Sequence, residues 1–95
     1  MTGSKRAAPV LLADGGRYPL RLTLGALAEI ETALALDGLK ALPARLTEPG
    51  AGDLIVILTA LMRAGGASEP DPAAMALDPG ETARLIADAF EASAR

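Results

Sequence analysis

The sequence predicts an α+β fold, in which an N-terminal β-hairpin packs on a small bundle of about four α-helices in a single domain. Three observations carry this reading. An apolar run and an alternating polar–apolar run flank the turn-forming triplet Asp14-Gly15-Gly16. Larger apolar side chains then recur at intervals of three and four through successive segments, the signature of helices with one covered face. Glycine and proline clusters break those segments into short lengths, so that 95 residues form one layered unit. The chain is 51% apolar, yet 21 of its residues are alanine, so the core must be built mainly from leucine.

Residues 1–9 are small and polar and close on Pro9, which reads as a flexible N-terminus preceding a domain over residues 10–95. Val10-Leu11-Leu12 forms the first strand and Arg17 to Leu22 the second, with Tyr18, Leu20 and Leu22 on one face and Arg17, Pro19 and Arg21 on the other. Because an isolated two-stranded ribbon is marginal in water, the inner face must pack on helices. Thr23 is placed to cap a first helix through Ala26, Leu27, Ile30 and Leu34, expected to run to about Leu36 and to end at Asp37-Gly38. Leu39, Leu42 and Leu46 suggest a short second helix in which Pro43 lies at the start or makes a kink. After Pro49-Gly50-Ala51-Gly52, Asp53 is expected to cap a third helix, Leu54 to Ala64, that is apolar nearly all round and stops at Gly65-Gly66. A one-turn helix is expected around Met75 and Leu77. Asp78-Pro79-Gly80-Glu81 then has the cap, first-turn proline and third-position glutamate of a final helix.

Composition excludes much chemistry. With no cysteine and no histidine there is no disulfide, no Cys/His zinc site and no Ser-His-Asp triad. The net charge of −3, with Lys5-Arg6 as the only adjacent basic pair, argues against nucleic-acid binding. The longest apolar stretch, Leu54 to Met62, is far short of the roughly 20 residues of a membrane span, and no export signal is legible, so the cytoplasm is the expected compartment. Glu29 and Glu31 stand two apart on a helix and point away from each other, so they cannot share a metal or divide acid and base roles. The glycine clusters lack the lysine and spacing of a phosphate loop, and turn chemistry explains each of them. No cofactor, no metal, no small-molecule substrate and no enzymatic activity are expected.

The remaining function class is protein–protein interaction. The third helix is more apolar than so small a chain needs, so either it is central or a stripe through Val56 and Thr59, or through Leu58 and Met62, faces a partner or a second copy. Arg21 lies on the polar face of the second strand, where it could meet an acidic surface.

The segment Gly16 to Glu31 resembles the opening of the gene transfer agent and phage tail-assembly chaperone family. That family's pattern is a glycine turn, then Y-x-L-R-x-T, then x-A-L-x-E-x-E. Tyr18, Leu20, Arg21, Thr23, Ala26, Leu27, Glu29 and Glu31 carry it here. Weaker likeness continues through Asp53-Leu54, the apolar helix ending in Arg63-Ala64-Gly65-Gly66, and the helix reaching Phe90. The resemblance implies a non-catalytic assembly factor that binds the tape-measure protein, the tail-tube protein or both; self-association is expected from the apolar third helix. It adds Glu29 and Glu31 to Arg21, Val56, Leu58 and Met62 as candidate contact residues. A structural minor tail component retained in the particle is the alternative.

Overall fold

A computed structural model describes residues 8–93 of the chain. The expected flexible segment and the Lys5-Arg6 pair lie, but for Ala8 and Pro9, outside the described residues. The order of elements is β1 (Val10–Ala13), β2 (Gly16–Pro19), α1 (Leu24–Ala33), a 3₁₀ turn at Leu39–Ala41 running into α2 (Leu42–Thr47), α3 (Ala51–Ala64), a 3₁₀ turn at Pro72–Ala74, and α4 (Pro79–Ser93). This is the hairpin-plus-four-helix α+β architecture that the sequence predicts.

The hairpin is antiparallel, with Val10 opposite Pro19, Leu11 opposite Tyr18, Leu12 opposite Arg17 and Ala13 opposite Gly16. Asp14 and Gly15 form a two-residue connection with both φ values positive, +52° and +81°. That backbone matches the twist of the flanking strands, and Asp-Gly is among the pairs that tolerate it best. One position beyond the hairpin, the Leu20 N–H donates to the Pro9 carbonyl at 2.8 Å, which fixes the phase of the ladder. Leu11 and Ala13 therefore turn their backbone groups towards β2, whereas Val10 and Leu12 turn theirs away. By the same phase Pro19 sits at an outward position of β2, where its missing N–H removes no bond from the ladder.

Thr23 caps α1, its Oγ accepting from the Ala26 N–H at 3.0 Å. The helix ends at Ala33, earlier than Asp37-Gly38 would dictate, because Ala35 takes φ +55°. The Leu36 N–H then reaches the Glu31 carbonyl and the Ala35 N–H the Thr32 carbonyl, a complete Schellman closure built on alanine. Gly38 does have positive φ, +88°, but it leads into the next turn. Pro43 occupies the first turn of α2, where a missing N–H costs nothing. The start of α3 also differs from expectation, with Gly50 as the cap residue and Asp53 three positions inside the helix, its carboxylate accepting from the Gly50 N–H. The polar Gly50-Ala51-Gly52 stretch thus splits between cap and first turn. At the far end Gly66 takes φ +109° and a second Schellman closure forms, with the Ala67 N–H on the Met62 carbonyl.

The core is centred on α3. Its Ile57, Leu58, Leu61 and Met62 are buried with Leu20 of the hairpin segment, Ile30 of α1 and Ile86 of α4. α3 packs on α1, on α4 and on β2. The contact with β2 is intimate: the Arg21 N–H donates to the Leu61 carbonyl at 3.2 Å, and the Pro19 carbonyl lies where a side chain on Gly65 would be. The final helix starts as the sequence predicts, the Asp78 carboxylate accepting from the Glu81 N–H at 2.9 Å.

Candidate protein-binding surface

Covering α3 on three sides settles which apolar side chains are used internally and which remain outside. An open apolar concavity of about 480 Å³ lies where the start of α1, the 3₁₀ turn with α2, and the end of α4 converge. Leu22, Leu24 and Leu27 form one wall, Leu39 and Leu46 a second, and Phe90 the third. No charged side chain lines it. Leu24 is 79% exposed and Leu39 46% exposed, large values for leucines set side by side around one depression. Local folding accounts for both positions. Leu24 is the first residue after the Thr23 cap, with no preceding turn to cover it, and Leu39 opens the 3₁₀ turn just after Gly38 reverses the chain.

Two of the walls, α1 and α2, are held by a clamp that sequence reasoning did not foresee. Arg45 of α2 donates through Nη2 to Asp53 at 2.7 Å and through Nη1 to the Leu34 carbonyl at the end of α1, at 3.2 Å. One guanidinium thereby joins the C-terminus of α1, α2 and the first turn of α3, satisfying a helix-end carbonyl on the way. The Arg45 hydrogen bond, followed by that of the Gly50 N–H, holds the Asp53 carboxyl below its ordinary value. The only sequence signal was a basic residue spaced eight before an acidic one across a Pro-Gly break.

The residues singled out from sequence are dispersed. Leu58 and Met62 are core residues, 1% and 0% exposed, so their side chains fill the protein's own interior and present no surface stripe. Val56 is half-buried on α3. Arg21 is exposed on the connection between β2 and α1. Glu29, on α1, is engaged by Arg63 of α3 in an ion pair, and Glu31 is half-buried elsewhere on the same helix. None of the six lines the apolar depression. Leu24, Leu39 and Leu46 do, and the signal that would have found them is a set of leucines flanking a cap and a proline in elements too short to cover them.

Among the described residues no group of three or more acidic, histidine or cysteine side chains could hold a metal, and no helix is long and apolar enough to cross a membrane. A family model described as phage tail tube protein, GTA-gp10, matches residues 6–94. The chain belongs to this family. The match covers both the hairpin and all four helices, so the whole domain is the family unit, and the gene transfer agent and phage tail affinity read from Tyr18 to Glu31 holds at that level. The description names a tail tube protein and not an assembly chaperone. No curated protein and no solved structure matches the chain.

Proposed function

We propose that this tail-family protein acts as a non-catalytic assembly chaperone, holding an amphipathic helix of the tape-measure protein in the depression around Leu24 and Leu39 until the tail is built. The carrying observation is that depression: open, free of charged lining residues, and framed by α1 and α2, which Arg45 ties together, and by the end of α4. A tape-measure helix presents apolar residues at intervals of three and four, and a leucine-walled groove takes such a ridge while shielding it from aggregation. The acidic net charge keeps the complex soluble in the cytoplasm.

The second reading, a structural tail component retained in the particle, is favoured by the family's description as a tail tube protein. The two separate in one experiment. The chain is co-expressed with the tape-measure and tube proteins of the same phage-like element, captured by a tag, and sought in finished particles. Capture of the tape-measure protein, loss of capture in Leu24→Asp, and absence from particles support the chaperone. Stoichiometric presence in particles with no capture makes the protein a structural component.

A further inference from the structure

The hairpin has one closed edge and one open one. On β2, the outward Pro19 carbonyl abuts Gly65 and the next outward group, the Arg21 N–H, is bonded to the Leu61 carbonyl, so α3 closes that side at its Pro19–Arg21 end. On β1 the ladder phase directs the N–H and C=O of Val10 and Leu12 away from β2, and β1 has no other strand beside it among the described residues. Val10–Ala13 contains no proline, lysine or bulge, so this edge is limited only by its length of four residues, enough to pair a short segment through Val10 and Leu12. Leu12 is 67% exposed, an apolar side chain on that edge.

Beside this edge runs a groove of about 240 Å³ between β1 and the start of α4. Leu77 and Leu85 give it an apolar wall, and Asp78 and Glu81 line it as well. Neither acid has an ion-pair partner among the described residues. Thr82, only 4% exposed, also lines the groove, and its hydroxyl makes no hydrogen bond among the described residues. Open strand edge, apolar wall, two acids without an ion-pair partner, of which Asp78 also caps α4, and a buried threonine share one concavity.

We propose that β1 receives an extended, basic segment of a partner protein as a third strand, with alternate apolar side chains against Leu77 and Leu85 and a lysine or arginine at Asp78 and Glu81. The backbone of Val10 and Leu12 supplies the pairing, and the groove beside it supplies the selectivity. A single extended segment fits better than a second copy of this chain, because a second β1 would arrive with its own α4 flanking the same edge, bringing an equal wall into the space the groove offers. This surface is separate from the depression around Leu24, so its occupant does not compete with a helix there.

The test uses the full chain and a fluorescein-labelled peptide of alternating lysine and valine, about eight residues long, in fluorescence anisotropy. Three comparisons accompany it: the same peptide with glutamate for lysine, the lysine peptide with alternate backbone nitrogens methylated, and the Leu12→Pro chain. Leu12→Pro removes an outward N–H while leaving the Leu11 and Ala13 bonds to β2 in place; the methylated peptide removes the pairing without altering the protein. The expected result is saturable binding of the lysine peptide, weakened at least about tenfold by glutamate, by methylation and by Leu12→Pro, and unchanged by Leu24→Asp. No saturable binding up to about 1 mM, equal binding of the methylated peptide, or equal binding of the glutamate peptide would each overturn the proposal. So would sedimentation equilibrium showing a wild-type dimer that Leu12→Pro dissociates, since the edge would then belong to a second copy.

Discussion

Gly65→Ala tests the joint that holds the hairpin against α3. Gly65 has φ −82°, a helical value that alanine adopts freely. At an isolated helix end the substitution would therefore stabilise by about 0.4–1 kcal/mol, through loss of freedom in the unfolded chain. In this fold an added Cβ lies 2.0 Å from the Pro19 carbonyl oxygen and 2.8 Å from its carbon, both backbone atoms that no rotamer change can move aside. Relieving that overlap requires more than about 1 Å of separation between β2 and α3, at the cost of overpacking strain of about 2–3 kcal/mol. The Arg21 N–H bond to the Leu61 carbonyl is lost with it, adding about 1 kcal/mol. Set against the unfolded-chain gain, the expected net destabilisation is about 2–3.6 kcal/mol, lowering Tm by at least roughly 8 °C in a domain of this size. Gly66→Ala is the internal control: a Cβ there meets nothing within 4 Å, so only the positive φ of +109° opposes it, costing about 1–2 kcal/mol. Urea unfolding followed by circular dichroism gives both values. If Gly65→Ala stabilises, or costs less than Gly66→Ala, the hairpin does not dock on the end of α3 as described.

Ala35→Gly should raise stability by about 0.5–1 kcal/mol, because glycine accepts the φ of +55° that closes α1; a loss in urea unfolding would contradict that closure. Asp53 has its pKa lowered in the folded chain, so its contribution is complete above the unfolded value of 3.8 and is lost as pH falls through the lower folded value. Asp53→Asn should therefore reduce stability at neutral pH and remove part of the acid-induced fall, read by comparing urea midpoints across that range; an unchanged acid limb would show that Arg45 does not hold it. Leu24→Asp should change stability by less than about 0.5 kcal/mol, since the side chain is exposed and an acid in the first turn of a helix is favourable, while abolishing capture of the tape-measure protein. Leu58→Asp should prevent folding altogether, because it places a carboxylate in the core of α3; a folded variant by circular dichroism would refute the burial of that residue.

What could be read from sequence was what neighbouring residues decide among themselves. Asp14-Gly15 makes a turn wherever two strands flank it, Thr23 caps the residues that follow, and Asp78-Pro79 starts a helix by satisfying its own first turn. Features settled by distant contacts were not legible. α1 is ended by Ala35, two residues past Ala33 and with no intrinsic bias to positive φ, where Leu36 turns in to pack against the core and the Leu34 carbonyl is taken by Arg45 eleven residues on. The same distinction bears on α3, whose Leu58 and Met62 are buried in the core. Periodicity reports how much of a helix is apolar, but how much of it stays uncovered depends on the number of neighbours, and α3 is flanked by α1, α4 and β2. Most of its larger apolar side chains go inward, Leu58 and Met62 among them, while Ile55 stays 38% exposed. The more exposed leucines lie where an element begins or has an edge: Leu24 at a helix start, Leu39 in a 3₁₀ turn and Leu12 on a strand edge. In a chain this small such positions are where a partner gains most, because covering them displaces water without disturbing a core already complete around α3.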